Sequence, residues 1–134
     1  MTPALAAAGL YAGIMAILAL WLGMIVSKWR SRLKVWVGDG GQIDLVRAMR
    51  GQANFVETVP LALGLFLFMA MAGAPALAIH VLGVALTVGR ILHGLHFSAP
   101  DTPKWQRGAG AGLSMLVLVL AALGAIGHAV VAMF

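Results

Sequence analysis

The sequence predicts an all-α integral membrane protein, a four-helix bundle whose helices cross the bilayer up, down, up and down. Three observations carry this reading. The chain has 134 residues, of which 62% are hydrophobic and only 10% charged, with a mean hydropathy of +0.99. A soluble domain of that size cannot hide so much apolar surface. The apolar residues fall into four runs, and every Asp, Glu, Lys and Arg lies in or beside 27–57 and 90–107.

The first run, 4–26, is 23 residues without a charge, enough to cross a ~30 Å hydrocarbon core. No basic region precedes it and it is long for a signal peptide, so it is expected to be a retained span. The connection "SKWRSRLKVWVGDGG" follows, with four cations in 28–34 suited to setting topology and to attracting anionic lipid headgroups. Its "GDGG", 38–41, lacks a following Lys-Ser/Thr and a preceding strand, so it predicts a turn rather than a phosphate loop. The second apolar run, 58–73, has only 16 residues, about 24 Å of helix. The span therefore reaches back past Glu57 to about 54. "GAPA", 73–76, is a Gly/Pro turn signal, after which the third span, 76–97, must contain Arg90 and His93. The fourth covers about 107–132, and the whole of 1–134 forms one membrane domain. By the positive-inside rule the connections 27–57 and 98–106 are cytoplasmic and both termini lie on the non-cytoplasmic side. Trp21, Trp29, Trp36 and Trp105 cluster near the charged side as interfacial anchors. Gly9–Gly13 and Gly108–Gly112 have the spacing that permits close helix approach. There is no cysteine, which excludes disulfides, thiolate metal sites and a cysteine nucleophile. No nucleic-acid partner is expected.

The stretch "RAMRGQANFVE" places Arg47, Arg50, Asn54 and Glu57 within roughly 80° of one another on a helix. A polar stripe entering a bilayer needs partners. In a hairpin folded at Ala74, Glu57 and Arg90 come to nearly the same depth, and Asn54 and His93 are level one turn nearer the charged side. A charge in a span costs roughly 2.5–3.5 kcal/mol at the centre. The Leu, Phe and Val side chains of 59–73 return only about 2–4 kcal/mol on the same scale. A Glu57–Arg90 ion pair is the expectation. Such a pair could simply lock two helices. It would not account for Arg50 on the same stripe, for Arg107 opening the fourth helix where the N-terminus already favours anions, or for Lys28 and Arg30 ending the first. Four acids cannot neutralise nine bases, so an external anion is the expected guest. His93 and His96 lack carboxylate or thiol companions, so no metal site is expected; His80 and His128 read as interfacial or helix-contact residues.

With four short spans, Arg47, Arg50, Asn54 and Glu57 followed by "TVP", "GRILHGLHF" at 89–97 and Arg107 at the start of the last helix, the chain resembles the MAPEG family, membrane-associated proteins in eicosanoid and glutathione metabolism. "GDGG" resembles the small bacterial inner-membrane branch. The likeness spans essentially the whole chain. It implies a homotrimer of four-helix subunits that binds glutathione between neighbouring subunits near the cytoplasmic side. By motif position, Arg50, Asn54 and Glu57 would contact the tripeptide, with Arg90 supporting Glu57 and His93 lining the cleft. Arg107 matches the arginine that stabilises the glutathione thiolate, and either Lys28 or Arg30 matches a helix-one cation.

The chemistry is consistent with that resemblance. Glutathione offers carboxylates to cations and an ammonium to Glu57, and its thiol is nucleophilic as thiolate, which a positioned arginine favours. A lipophilic electrophile would arrive through the bilayer, so a glutathione transferase or peroxidase is implied. The chain departs from the family pattern at Ala111 and Phe97, where many members have tyrosine, and at Ala53, where some have a further arginine. Eicosanoid-specific synthesis is not expected. Two other classes stay open: a small proton-coupled multidrug exporter using Glu57, and a non-catalytic membrane protein with a vestigial site.

Overall fold

The computed structural model describes all 134 residues and contains four helices and no strand: α1 Pro3–Leu33, α2 Ile43–Met71, α3 Ala76–Ser98 and α4 Lys104–Met133. Each is long and apolar enough to cross a membrane. The helices outrun the spans read from hydropathy. At 31 residues, α1 is about 46 Å long against a core of ~30 Å, so its cationic last turns project beyond the hydrocarbon. Likewise α2 begins at Ile43 rather than 54, because residues too polar to lie in lipid can still be helical in water. Apolarity marks the bilayer, whereas backbone hydrogen bonding marks the helix.

Caps and positive-φ residues mark several of these ends. Thr2 caps α1 through its hydroxyl, which accepts from the Leu5 amide at 3.2 Å, and Lys34 stops α1 in a left-handed conformation (φ 57°). The predicted "GDGG" turn forms: Gly38, Gly40 and Gly41 all have positive φ, and the Asp39 carboxylate accepts from the Gly41 amide at 2.9 Å. After α2, Gly73 (φ 88°) allows the Ala74 and Gly73 amides to reach back to the Met69 and Ala70 carbonyls, the double bond by which a left-handed glycine closes a helix. Arg47 donates to the His96 and Ala99 carbonyls at 3.1 and 3.3 Å, satisfying carbonyls that the end of α3 leaves without partners.

A main apolar core joins the helices, with a small second cluster of Val26, Leu45 and Ala48 between α1 and α2. From α2 the main core takes Phe55, Val59, Ala62, Phe66 and Met69, a three-to-four-residue stripe that meets Met15, Ile79, Leu86 and Val117. Glycines set the closest approaches. A Cβ on Gly110 would lie 2.6 Å from the Gly89 carbonyl oxygen, and Gly94 admits the ring of Trp21 as Gly83 admits that of Tyr11. The pairs singled out by spacing, Gly9–Gly13 and Gly108–Gly112, face open space within the chain. Spacing fixes a common helix face, but not which face meets a neighbour.

Candidate functional site

The four buried polar side chains, Arg90, His93, His96 and Ser114, all belong to α3 and α4. Arg90 is the most consequential, being 2% exposed within a membrane-spanning helix. Its Nη2 donates to Asn54 Oδ1 at 2.8 Å and to His93 Nδ1 at 3.1 Å, and its guanidinium carbon stands 5.6 Å from the Phe55 ring centre. Its Nε has no partner. Because arginine can only donate, His93 Nδ1 must be the acceptor, which leaves the histidine's proton on Nε2.

The expected Glu57–Arg90 ion pair does not form. Arg90 turns to Asn54 and His93, and Glu57 is exposed. Depth matched but direction did not. Glu57 lies two residues from both Phe55 and Val59, which face the core, and at about 100° per residue that puts it on the opposite side of α2. Asn54 is about 60° from the buried Gly51, so it sits at the edge of the core face, within reach of Arg90.

In front of this cluster lies a cavity of about 210 Å³ lined by Arg50, Ala53, Asn54, Glu57, His93, Phe97 and Arg107. It therefore gathers five of the predicted site residues: Arg50, Asn54, Glu57, His93 and Arg107. Three helices build it. The outward stripe of α2 supplies Arg50, Asn54 and Glu57. From α3 come His93 and Phe97, whose rings pack with centroids 4.9 Å apart. Arg107 comes from the first turn of α4, where no side chain caps the helix and free amides add positive potential. Gly51 lets Phe97 settle against α2, since a Cβ there would be 2.7 Å from Phe97 Cβ. The close α3–α4 seam at Gly89 and Gly110 brings His93 and Arg107 to one cavity. Electrostatically it is cationic, with Arg50 and Arg107 on the wall, Arg90 behind it and Glu57 its one carboxylate.

The helix-one cations stand elsewhere. Arg30 donates to the Val35 and Gly38 carbonyls at 3.3 and 2.8 Å, clamping the α1–α2 connection, and shares an open groove with Gly23, Met24 and Gln52. Lys28 lines a different groove with Trp21 and Arg32. Sequence reasoning passed over Gln52, which lies off the polar stripe, and missed the Arg90–Asn54 bond, which depth matching ranked behind a charge pair. No three His, Asp or Glu side chains converge. His96 instead secures the α3–α4 connection: its backbone carbonyl accepts from Thr102 Oγ1 at 2.6 Å and its Nδ1 lies 3.2 Å from the Pro103 carbonyl oxygen. At the far end of the bundle, Tyr11 Oη lies 3.1 Å from His80 Nδ1.

The model of the MAPEG family matches residues 8–127. The inner membrane protein YecN of Escherichia coli, represented by two strains, is 36% identical over 118 residues, covering 85% of this chain and 88% of that protein. With four membrane-length helices and a family match over nearly its whole length, the chain belongs to the MAPEG family.

Proposed function

We propose that the protein is a glutathione-dependent transferase or peroxidase of a bacterial inner membrane, acting on lipophilic electrophiles. The observation that carries this reading is the buried Arg90, which has no carboxylate partner and stands behind a cavity walled by Arg50, His93 and Arg107. A cation held at that cost in a span invites an anion. The glutathione carboxylates would meet Arg50 and the His93 Nε2–H, its ammonium would meet Glu57, and Arg107 would face the sulfur. There Arg107 favours the thiolate over the thiol, the released proton passing to solvent. The sulfur lone pair then forms the bond to the electrophilic carbon while the leaving group departs with its electron pair.

In this reading the four helices cross the membrane up, down, up and down with both termini on the non-cytoplasmic side, and three copies assemble. The cavity of one chain is too small and too open to enclose a tripeptide, and the groove bearing Arg30 and Gln52 is a polar notch on an apolar face that a neighbouring copy's cleft would use. The test is to purify the protein in detergent, titrate glutathione while following thiolate ultraviolet absorbance, and assay conjugation of a chloronitrobenzene-type electrophile. Binding and turnover are expected for the wild type, with loss of the thiolate signal in Arg107→Ala. A wild type that neither binds nor turns over overturns the reading.

One observation favours a second reading. The outward-facing Glu57, free of Arg90, could serve as the proton site of a small proton-coupled exporter. Proton-driven drug efflux abolished by Glu57→Gln, with no glutathione binding, would establish it.

A further inference from the structure

A wider space than the candidate cleft is a groove of about 840 Å³ between the ends of α1 and α3 and the start of α2, a volume in the range of about 300–1,000 Å³ typical of small-molecule sites. Trp21 and Ile25 line one end, Lys28, Arg32 and Asp44 the other, with Trp29 between. From Trp21 to Arg32 the groove follows α1 for about 16 Å, passing from aromatic and apolar at bilayer depth to cationic at the charged rim. Its inner wall exists because residue 94 is glycine: a Cβ there would come within 2.5 Å of the Trp21 ring. The guanidinium of Arg32 lies over the Trp29 ring at 5.5 Å rather than against a carboxylate, and Lys28 and Arg32 are both exposed.

The groove is separate from the candidate cleft and from the Arg30–Gln52 groove. On a helical wheel at about 100° per residue, its α1 residues centre on the flank roughly opposite that of Gly23, Arg30 and the Gln52 groove. An occupant here competes with nothing in the proposed glutathione site. Charge says what the occupant is. Two cations one turn apart, four residues along a helix, make a seat for a phosphodiester. A carboxylate beside them accepts from an N–H or O–H, and an aromatic trough below accepts a chain. A free phosphate would use only the first of these.

We propose that this groove binds a membrane phospholipid, with its phosphodiester on Lys28 and Arg32, its hydrogen-bond-donating headgroup terminus on Asp44 and an acyl chain lying past Trp29 and Ile25 to Trp21. The assignment also divides the helix-one cations: Lys28 serves the lipid, and Arg30 remains for a neighbouring copy.

Native mass spectrometry of the full-length protein in detergent tests this, with phosphatidylglycerol, phosphatidylethanolamine, phosphatidylcholine or inorganic phosphate added singly. The first two are expected to give adducts in clear excess over phosphatidylcholine, whose quaternary ammonium has no N–H to donate, and phosphate alone to give none. Lys28→Gln with Arg32→Gln is expected to weaken the adducts about 30-fold, at the usual worth of a cation beside a lipid surface. Ser98→Trp, which fills the groove without changing charge, is expected to abolish them, and Asp44→Asn to erase the preference against phosphatidylcholine. The charge-matched control Lys34→Gln with Lys104→Gln should leave them intact. Equal losses in the two charge pairs, phosphate binding as well as lipid, or full adducts in Ser98→Trp would each overturn the proposal.

Discussion

Arg90 is a buried cation whose partners are an amide, an imidazole nitrogen and an aromatic face, a set that orients a guanidinium without neutralising it. Arg90→Met relieves the desolvation of a buried charge but leaves the Asn54 Oδ1 and His93 Nδ1 acceptors without their donor, at a cost of about 1–3 kcal/mol. The two effects oppose, so the variant separates structure from function. Its thermal midpoint in detergent should stay close to that of the wild type, while glutathione affinity falls about ten- to a hundredfold, the worth of a charge-assisted hydrogen bond network. A midpoint that drops steeply would make Arg90 a helix clamp. Glu57 supplies a complementary case. Because it is exposed and does not hold Arg90, Glu57→Gln should leave stability within about 0.5 kcal/mol. It should weaken glutathione about tenfold and leave an analogue lacking the amino group unaffected. An equal loss for both ligands would remove the ammonium from Glu57. These two residues also mark how far the site was legible in the sequence. Residue counting from a turn fixes depth well: Arg50, Asn54, Glu57 and His93, matched that way, line one cavity together with Arg107, which was read from its place at the start of the last helix. Direction around the helix depends on which face packs, and four residues of polar stripe carry no information on that.

At the scale of the helix the same limit recurs. The four elements and the glycine turns were readable because apolarity and glycine report directly on lipid and on positive φ. Helix ends were less so, since the cationic turns of α1 and the first turns of α2 are helical in water. Packing partners were not readable at all among 17 glycines. Gly110 and Gly112 make the contrast measurable. Gly110 is buried against α3, and a Cβ on it would meet the Gly89 carbonyl at 2.6 Å and the His93 amide at 2.6 Å, both backbone atoms that cannot swing away. Overpacking of that kind costs typically 1–3 kcal/mol. Gly110→Ala should therefore lower the thermal midpoint in detergent and, by pushing α4 off α3, part Arg107 from His93. Gly112 has nothing within 4 Å, and Ala is the better helix former by roughly 1 kcal/mol, so Gly112→Ala should be neutral or stabilising. A reversed order of midpoints would mean the α3–α4 seam is wrongly placed.

For the whole molecule, the decisive feature is that the candidate cleft and the Arg30–Gln52 groove open on different surfaces of one chain. Arg107, Arg50 and Glu57 open from one cavity, and Arg30 with Gln52 from another groove. Neither surface suits hydrocarbon, where unsatisfied polar groups are costly, and in the proposed assembly contact between unlike patches of successive copies would satisfy both while closing a ring. Arg30 spends part of its guanidinium on the Val35 and Gly38 carbonyls, and the fork retains further N–H groups for a ligand. If the complete site takes Arg107 from one subunit and Arg30 from the next, Arg107→Ala and Arg30→Gln each inactivate the protein when expressed alone. Co-expressed in equal amounts and assembled at random in a ring, they leave both arginines intact at about one site in four. Glutathione conjugation in the mixed protein should thus recover to about a quarter of the wild-type rate, and cross-linking should give trimers. No recovery from the mixture, or an Arg30→Gln protein that is fully active by itself, would mean that each chain carries its own complete site and that the Arg30 groove serves another purpose.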